Sequence, residues 1–472
     1  MIKWGISAGT HDASLTVVED DKILFASHSE RYSRIKNDAH LNDKLVADAL
    51  SYGEPKKVYW YENPILKAGR KLYAGQDEIW LNPKSYLKKY GINTKVKWSL
   101  HHESHAAAGY YTSPFNSSAI LVIDAIGEFD TTSIWLGKTG LQKLYSRKYP
   151  TSLGLFYSAI TDRVGLKPNE DEYILMGMAA YGRPRWCVEM RLMLHNGYNF
   201  HRGCREAFKG ARDVDLACSA QIVYEEELEK LLVLTKKLTN QDNLVLMGGC
   251  ALNCLANRFI NKYFNHVWIM PNPGDAGSSL GSIAAGEQRK LNWKTPYLGY
   301  NIEGRYPVEQ LLDSLLTENI VGVANGRAEF GPRALGNRSL LADIQIRHIK
   351  DTVNEIKQRQ KFRPFAPVIL KQEAHKYFDV PRGFESPYMQ YVVRCKEPHK
   401  YPAIVHHDGT SRVQTVTREQ HQGLFRLLMR YKKETGIPML LNTSLNIKGE
   451  PMVNDKNDAQ NFYKKYGVKV FS

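Results

Sequence analysis

Two histidines four positions apart, His101 and His105, begin an alanine-rich stretch of the chain. Alanine favours helix, and residues four apart on a helix share one face, so both imidazoles could bind one metal ion. His102, between them, points away from that face. The spacing therefore predicts half of a metal site, with an exposed or helix-capping role as the alternative.

Two aspartates could supply the carboxylates of the same site. Asp124 follows an apolar strand predicted at 120–123, and Asp275 lies in the Asn/Pro/Gly loop 271–277. Two histidines and two aspartates suit a borderline divalent ion, such as Fe²⁺, Mn²⁺ or Zn²⁺, better than Ca²⁺. An aspartate before a helix can also act only as its N-cap, and this alternative stays open for Asp275.

A second group of residues, in the C-terminal half, is cationic. The stretch 326–339 combines arginines with glycines, which let the backbone approach a ligand closely, and this pattern suits polyphosphate binding. More cations follow at 357–363, and amide and hydroxyl groups follow the predicted strand 439–441. An ordinary basic surface is the alternative for each piece. The residues concerned are Arg333, Arg338, Lys357, Arg359, Arg363, Asn442 and Ser444.

The elements that must position these residues predict an α/β fold with a duplicated core. Strand 2–7, a polar turn and strand 14–18 form one strand–turn–strand unit. The region 119–135 forms a second such unit, and its turn begins at Asp124. Duplicated units of this kind are typical of actin-like ATPase folds, by fold-level analogy.

Further elements complete the pattern. Helices are predicted at 42–50 and 225–238, and a buried strand at 244–247 leads into the Gly-Gly pair 248–249, which we expect to open another helix. Backbone amides at that helix start could face an anion, although close helix packing would explain the glycines equally well. The Pro/Gly/Tyr-containing stretch 292–305 is typical of a link, so we place the domain boundary there.

The bulk composition bounds the class of protein. The chain has 472 residues, 43% of them hydrophobic and 24% charged, which fits a globular protein of two domains. The apolar runs are too short to cross a membrane and the start lacks a signal-peptide pattern, so we expect a cytoplasmic protein without a membrane partner. Six cysteines without a CxxC pair favour a reducing compartment. An oligomer is left open.

Positive charge is the most informative bulk property. Lysine and arginine number 64 against 49 aspartates and glutamates, a net charge of +15 that would attract a phosphate-rich partner. Basic clusters at 84–90, 202–212 and 426–433, some with aromatic residues among them, favour a nucleic acid, with DNA as the expected partner. A dispersed, solvated basic surface is the alternative.

Several longer motifs together resemble the carbamoyltransferase family that includes the nodulation-factor and antibiotic O-carbamoyltransferases. The resemblance runs through most of the chain, and its last three motifs are the most specific. The motifs are Gly-Thr-His-Asp-Ala-Ser at 9–14, then 30–36, 101–107, 176–182 and 248–253, followed by Glu-Phe-Gly-Pro-Arg-Ala-Leu-Gly-Asn-Arg-Ser at 329–339, Phe-Arg-Pro-Phe-Ala-Pro at 362–367 and Asn-Thr-Ser-Leu-Asn at 442–446.

This resemblance implies two domains with separate chemistry. A Kae1-like domain of the duplicated actin-like ATPase fold is expected at 1–294, and an α/β YrdC-like domain at 300–472, whose last residues could pack back on the first domain. The second domain would form carbamoyl-adenylate from ATP and carbamoyl phosphate. The first would deliver the carbamoyl group to an acceptor hydroxyl.

The resemblance also assigns roles to the candidate residues. The metal, Fe²⁺ or another divalent ion, would be bound by His101, His105, Asp124 and Asp275. At the acceptor site the resemblance places Lys36 and His11, our candidate general base, for which a plain turn histidine is the alternative. ATP with Mg²⁺ and carbamoyl phosphate would be bound by Arg333, Arg338, Lys357, Arg359, Arg363, Asn442 and Ser444, of which Lys357 and Arg359 form the KxR motif.

The chain departs from the family pattern in two respects. Ile174 stands where a lysine is expected, and the chain is shorter than usual members, which could leave a more open acceptor site. Because of the charge, the favoured acceptor is a hydroxymethylated pyrimidine, 5-hydroxymethylcytosine, in DNA. Alternatives are a sugar or antibiotic hydroxyl, a fused tRNA threonylcarbamoyl enzyme, and a nucleic-acid-binding module that has lost catalysis.

Overall fold

Strands and helices alternate along most of the chain. The computed structural model describes residues 1–76 and 82–472, and the predicted α/β class is confirmed. Within those two ranges, none of the helices combines the length and apolar character that a membrane span requires.

Two compact units divide the chain. The first comprises Met1–Ser29 and Asn37–Lys294, and the second comprises Glu30–Lys36 and Thr295–Ser472. The segment Glu30–Lys36 therefore folds with the C-terminal part, whereas the predicted boundary placed it within 1–294.

Arginine hydrogen bonds explain why this short segment joins the second unit. The Arg34 guanidinium donates to the carbonyl oxygens of Met452 at 2.6 Å and Pro451 at 2.8 Å. Arg31, which is buried, donates to the Gly331 carbonyl oxygen at 3.0 Å. Bonds from charged donors to main-chain oxygens are among the stronger hydrogen bonds in proteins, so they fix the segment there.

The first unit contains two five-stranded sheets of the same topology. In each, the first strand lies at the centre, antiparallel to the second strand and parallel to the fourth. This repetition confirms the predicted duplicated, actin-like core. The strands are β1 (Ile2–Ser7), β2 (Ser14–Glu19), β3 (Lys22–His28), β4 (Lys57–Trp60) and β5 (Val96–Trp98) in one sheet, and β6 (Ser118–Ile123), β7 (Asp130–Gly137), β8 (Leu141–Lys148), β9 (Asn243–Met247) and β10 (His266–Trp268) in the other.

Several helices begin at a side chain that accepts a hydrogen bond from the first turn. Asn42 Oδ1 accepts from the Leu45 N–H at 3.0 Å, and Ser152 Oγ accepts from the Leu155 N–H at 3.0 Å. The α-helices are α1 (Glu30–Ser33), α2 (Asp43–Ser51), α3 (Pro64–Tyr73), α4 (Pro83–Lys88), α5 (His101–Thr112), α6 (Leu153–Arg163), α7 (Glu172–Met178), α8 (Cys187–His195), α9 (Asp213–Thr239), α10 (Ser278–Glu287), α11 (Val308–Thr317), α12 (Ile349–Ile356), α13 (Ala374–Tyr377), α14 (Gln422–Thr435) and α15 (Lys456–Tyr466).

The glycine pair after β9 does not open the predicted α-helix. It leads into the short 3-10 helix Gly249–Leu252, and a second 3-10 helix spans Ala256–Lys262. Gly248 has a φ of 90°, and a Cβ atom there would lie 2.1 Å from the Ile123 carbonyl oxygen. The chain therefore leaves β9 in a left-handed conformation against the end of β6, which is incompatible with an immediate α-helical start.

Helices α5 and α10 approach each other closely because small residues line their contact. A Cβ atom added at Gly281 of α10 would lie 1.9 Å from the Ser104 carbonyl oxygen of α5. Near the start of α10, Ser278 Oγ lies 3.3 Å from His105 Nδ1. The first turns of the two helices are therefore adjacent, and the loop before α10 is brought to the histidines of α5.

One hydrophobic core of the first unit lies on the helix-covered face of the second sheet. Leu121 and Ile134 from the sheet pack with Phe156 from α6 and Leu216 from α9, and all are buried. Ile174, at the position where a lysine was expected, is buried on α7 with 2% exposure. An apolar side chain suits that environment, because a buried ammonium group would need an anionic partner.

The second unit centres on a six-stranded mixed sheet that is apolar on both faces. Leu340 and Leu341, neighbours on one strand, belong to two separate apolar clusters, because successive side chains of a strand point to opposite faces. The strands are β11 (Tyr297–Ile302), β12 (Ile320–Ala324), β13 (Gly326–Glu329), β14 (Arg338–Ala342), β15 (Ala366–Leu370), β16 (Val392–Arg394), β17 (Thr410–Arg412), β18 (Gln414–Val416), β19 (Met439–Ser444) and β20 (Val470–Phe471). The large sheet has the order β18-β15-β19-β14-β12-β20, and β11-β13 and β16-β17 form two small sheets.

Candidate functional site

Four side chains of the first unit bring their donor atoms together. His101 and His105 share one face of α5, and their Nε2 atoms lie 3.1 Å apart. His101 Nε2 lies 3.1 Å from Asp124 Oδ2, and His105 Nε2 lies 3.2 Å from Asp275 Oδ1. One donor atom from each of the four lies within 4.8 Å of the others. Since tetrahedral ligands about 2.1 Å from a metal lie roughly 3.4 Å apart, this spacing fits a single ion.

The charges of the cluster also fit a divalent cation. Asp124 and Asp275 are 7% and 8% exposed, and both pair with histidines. Among residues 1–76 and 82–472, no lysine or arginine pairs with either carboxylate. The two buried negative charges therefore need a counter-charge, which either protons on the histidines or a metal ion can supply. One divalent ion supplies both positive charges.

The two carboxylates change the proton affinity of both histidines. Burial alone would lower the pKa of His101, but Asp275 and Asp124 raise it well above its usual range. Burial alone would also lower the pKa of His105, but hydrogen bonds with the same aspartates raise it. A metal ion would compete with these protons for the ring nitrogens, so metal binding releases protons.

Hydrogen bonds outside the cluster hold the ligands in position. Asp124 lies directly after β6, and its Oδ1 accepts from the Gly249 N–H at 3.1 Å, which leaves Oδ2 facing His101. The backbone amide expected to face an anion therefore faces a carboxylate of the protein itself. Ser278 Oγ contacts His105 on the opposite side of its ring, at Nδ1. Contacts of this kind orient metal ligands in general.

His102 lies away from the other two histidines, as its position on the helix predicts. Its Nδ1 is 2.8 Å from Ser133 Oγ, and burial lowers its pKa to about 3. His102 is therefore a neutral, hydrogen-bonded residue of the interior.

His11 reaches the same aspartate from the turn after β1. Its Nε2 lies 3.7 Å from Asp275 Oδ2, and its Nδ1 lies 3.2 Å from Asp12 Oδ2. Burial alone would lower the pKa of His11, but the bond to Asp12 and the charges of Asp275 and Asp124 raise it to about 9. The side chain is 36% exposed, so it borders the candidate metal site and remains open to solvent.

Lys36 belongs to the second unit, where it forms an ion pair. Its Nζ lies 2.8 Å from Glu30 Oε2 and 3.1 Å from Glu30 Oε1. The expected partner of His11 at the acceptor site is therefore engaged by a carboxylate of its own unit.

The cationic residues of the second unit gather around Lys357. Lys357 is 5% exposed, and its ammonium group donates to the Ser444 carbonyl oxygen at 2.5 Å and to the Asn446 carbonyl oxygen at 2.7 Å. Within the described residues Lys357 forms no ion pair. Burial, with the charges of Arg359 and Arg363, holds its pKa well below the usual value. An anionic ligand bound here would offset the repulsion between these groups.

The cluster extends to residues that the motifs did not single out. Arg359 lowers the pKa of Lys350, in addition to the effect of burial. Lys350 and Arg412 in turn act on His406, whose pKa burial lowers to about 4. Arg412 Nε is buried and makes no hydrogen bond to any described residue. These electrostatic interactions relate Lys350, His406 and Arg412 to the predicted cluster.

Asn442 contacts the residue that follows Arg333 in the chain. Asn442 donates to the Ala334 carbonyl oxygen at 3.1 Å and to Gln414 Oε1 at 2.6 Å. Its own Oδ1 is buried without a hydrogen bond in the part of the chain that the structure describes. Arg333 is half-buried beside Ala334.

Arg338 has a different environment from the other predicted cations. It is 0% exposed, and its guanidinium donates to main-chain oxygens at 2.9 to 3.1 Å. We therefore give Arg338 a structural role in place of the expected ligand-binding one, because its N–H groups are used within the protein. The acceptors are the carbonyl oxygens of Tyr300, Asn325, Gly326, Asn337 and Asn454.

The structure adds functional candidates that the motifs missed, and some of them had a signal in the sequence. Glu62 lies just beyond the end of β4, as Asp124 lies just beyond the end of β6. A search for acidic residues directly after apolar strands could therefore have identified Glu62. Asn446 closes a motif already recognised at 442–446. Arg412 had no local signal. The added residues are Glu62, Lys67, Glu128, Lys350, His406, Arg412 and Asn446.

The fold and the two clusters define a class: a two-unit α/β enzyme with a metal-type site on a duplicated actin-like unit and an anion-type site on the other. The family description "Carbamoyltransferase N-terminus" matches residues 61–203 and 185–285, and "Carbamoyltransferase C-terminus" matches 312–472. The chain belongs to this carbamoyltransferase family. The two matched regions contain all four metal-type ligands and the cationic cluster.

Full-length relatives support the same assignment. An uncharacterised protein of Synechocystis is 31% identical over 96% of this chain and 93% of its own length. The nodulation protein NolNO of Sinorhizobium fredii is 30% identical over 95% of this chain and 76% of its own. The 3'-hydroxymethylcephem-O-carbamoyltransferase of Amycolatopsis lactamdurans is 27% identical over 97% and 95% respectively.

Proposed function

We propose that the chain transfers a carbamoyl group to an acceptor hydroxyl at a divalent metal, Fe²⁺ in our assignment, bound by the first unit. The observation that carries this proposal is the convergence of two imidazole nitrogens and two carboxylate oxygens within 4.8 Å of one another. The ligands would be His101, His105, Asp124 and Asp275. A bound ion would polarise the carbamoyl carbonyl oxygen as a Lewis acid.

His11 would handle the proton of the acceptor hydroxyl. Its Nε2 faces Asp275 and its Nδ1 faces Asp12, so the ring is oriented by carboxylates on both sides. A bound divalent ion would offset the charges of Asp275 and Asp124, which raise the pKa of His11, so that an unprotonated Nε2 could accept the hydroxyl proton as the oxygen attacks the carbamoyl carbon. Exposure of part of the ring leaves room for an acceptor.

The second unit would activate the carbamoyl group. In the chemistry that we propose, carbamoyl phosphate and water give carbamate and phosphate, and the carbamate oxygen attacks the α-phosphorus of ATP with Mg²⁺, displacing pyrophosphate. Arg359 and Arg363 would neutralise the phosphates, and an anion bound beside them would favour the protonated, cationic form of Lys357. The acceptor oxygen later displaces AMP from the carbamoyl-adenylate. Ser444 and Asn446 would hold Lys357 in place through their contacts with its ammonium group.

For the acceptor, our first candidate is 5-hydroxymethylcytosine in DNA, on account of the +15 charge. Part of this charge is neutralised in place: Arg205 pairs with Asp162 at 2.6 Å and Arg212 with Asp215 at 2.7 Å. The cluster at 84–90 differs. Its exposed lysines, 84, 88 and 89, form no ion pair with any described residue. This cluster is the surface that supports a DNA partner best.

A small-molecule hydroxyl is the second candidate, favoured by the likeness to the cephem O-carbamoyltransferase along nearly the whole chain. One experiment separates the two. The protein, Fe²⁺, ATP and carbamoyl phosphate are incubated with a duplex containing 5-hydroxymethylcytosine or with 3'-hydroxymethylcephem, and each acceptor is analysed by intact mass. Gain of one carbamoyl group by the duplex supports DNA, and gain only by the cephem excludes it. A His105→Ala variant is the control, in which neither acceptor should gain mass.

A further inference from the structure

A buried ion pair lies next to the metal-type cluster, and none of the roles assigned above uses it. Glu62 and Lys67 are 4% and 7% exposed, and Lys67 Nζ donates to Glu62 Oε1. Lys67 Nζ also lies 3.5 Å from the hydroxyl of Tyr61, whose ring packs against His101 at 5.3 Å between centroids. Buried ion pairs of this kind contribute little net stability, so stability alone does not explain this one and a functional role is considered.

The other oxygen of Glu62 faces His101. Glu62 Oε2 lies 3.9 Å from His101 Nδ1, a buried nitrogen that hydrogen-bonds no described residue. The Nε2 atom on the opposite edge of the same ring faces Asp124 and Asp275. If Nε2 is to bind a metal, the ring proton must reside on Nδ1, and that N–H needs an acceptor. Glu62 is the carboxylate placed to be this acceptor.

One further glutamate fixes the distance between Glu62 and His101. Glu128 Oε1 accepts from the Asn63 N–H at 2.7 Å and from the His101 N–H at 3.0 Å. These two backbone groups belong to the residue after Glu62 and to the first residue of α5. A single carboxylate therefore ties the Glu62 segment to the start of the helix that carries the ligands.

The local charges are consistent with this arrangement. A divalent ion would balance Asp124 and Asp275, and Lys67 balances Glu62, so these charges would sum to zero with neutral imidazoles. A carboxylate hydrogen-bonded to a ligating histidine raises the basicity of the ligand and fixes its ring. Lys67 keeps that carboxylate ionised.

We propose that Glu62, held by Lys67, is a positioning residue of the metal centre that orients His101 through Nδ1. This inference rests on the proposed metal site. It assigns Glu62 no contact with the substrate or the ion.

Metal affinity and the spectrum of a substituted ion test the inference. The full chain is stripped of metal, and Co²⁺ binding is measured by chelator competition together with its visible absorption. Glu62→Gln should weaken Co²⁺ binding roughly 10- to 100-fold and change the absorption bands, because the ligand field of His101 changes. Glu103→Gln is the matched control: Glu103 lies on the same helix, and its Oε2 contacts the Leu100 N–H at 3.4 Å. This control should bind Co²⁺ like the unmodified protein.

A second variant separates positioning from stability. Glu62→Met with Lys67→Met removes both charges and keeps similar volumes, a change that often leaves stability intact. The double variant should also lose about 10-fold or more in Co²⁺ affinity at unchanged thermal stability. If Co²⁺ affinity and spectrum in the double variant and Glu62→Gln match the unmodified protein, the inference is overturned and the metal site stands. If the unmodified protein binds no Co²⁺, or His101→Ala binds it equally well, the proposed metal site itself has failed.

Discussion

Gly281 of α10 lies directly against Ser104 of α5, so that a Cβ atom at position 281 would come within 1.9 Å of the Ser104 carbonyl oxygen. This contact sets the distance between the helix that carries His105 and the loop that carries Asp275. Because the obstacle is backbone rather than a flexible side chain, neither helix can yield locally.

Replacing this glycine should therefore damage both the fold and the metal site. Gly281→Ala is expected to destabilise the first unit by about 3 kcal/mol, the upper end for overpacking, and to weaken metal binding by displacing Asp275. Thermal unfolding and Co²⁺ titration measure the two effects. Gly69→Ala is the control, because Gly69 lies in α3 with nothing within 4 Å of its added Cβ. Equal behaviour of the two variants would show that the helices can separate without cost.

Asp124→Asn tests the charge of the metal site without changing its shape. The asparagine keeps an oxygen that can accept from the Gly249 N–H, as Asp124 Oδ1 does at 3.1 Å. It removes the negative charge that faces His101. We expect the variant to fold normally, to lose bound metal and to lose carbamoyl transfer, as measured by elemental analysis and acceptor mass.

His102→Gln serves as the comparison for that experiment. His102 lies on the same helix but contacts Ser133 instead of the ligand cluster. Metal content per folded protein should remain as in the unmodified chain. Retention of metal by Asp124→Asn, or its loss from His102→Gln, would contradict the ligand set.

Two arginines of the second unit should respond in opposite ways to substitution. Arg338→Met removes a guanidinium that donates to five main-chain oxygens and leaves them buried, so we expect a loss of about 3 to 5 kcal/mol in stability. Arg363→Met should leave the unfolding temperature nearly unchanged and reduce pyrophosphate release from ATP, because half-buried Arg363 belongs to the cationic cluster around Lys357. Unfolding curves and a pyrophosphate assay check both. An Arg338→Met protein of normal stability would refute the structural assignment.

The ion pair between Lys3 and Glu287 predicts a pH dependence of stability. Lys3 Nζ lies 2.9 Å from Glu287 Oε2. Burial alone would raise the pKa of Glu287, but the hydrogen bond from Tyr59 and the charge of Lys3 lower it to about 2 from an ordinary value of 4.5. A lowered folded-state pKa stabilises the protein above the unfolded value. The contribution, about 2 to 3 kcal/mol, should disappear as the pH falls from about 4.5 to about 2.

Glu287→Gln tests this directly. The variant should be less stable than the unmodified protein at pH 7, and the difference should shrink at pH 3, as measured by urea unfolding. Glu19→Gln, which changes an exposed carboxylate of β2, is the control and should show no such trend. A difference that stays constant between pH 7 and pH 3 would exclude the ionic origin of the effect.

The sequence alone determined the local features of this protein. Short apolar runs next to polar turns indicated the strands of the duplicated core, and helical periodicity put His101 and His105 on one face, away from His102. Their loop positions made Asp124 and Asp275 candidates, but they lie 151 positions apart in the chain, and the family resemblance was needed to assign both to the histidine site. These predictions could be made because they depend only on neighbouring residues or on whole sequence motifs.

Only the tertiary structure decided how the remaining polar groups are used. The sequence could not distinguish Arg338, which is saturated by carbonyl oxygens, from Arg363, because the acceptors come from several distant loops. For the same reason the sequence could not show that Lys36 pairs with Glu30 or that Glu62 faces His101. Nor could it show that Glu128 binds the backbone N–H of His101 at the start of α5. A side chain's type limits what it can bind, but its role depends on which donors, acceptors and charges the fold brings within about 4 Å of it.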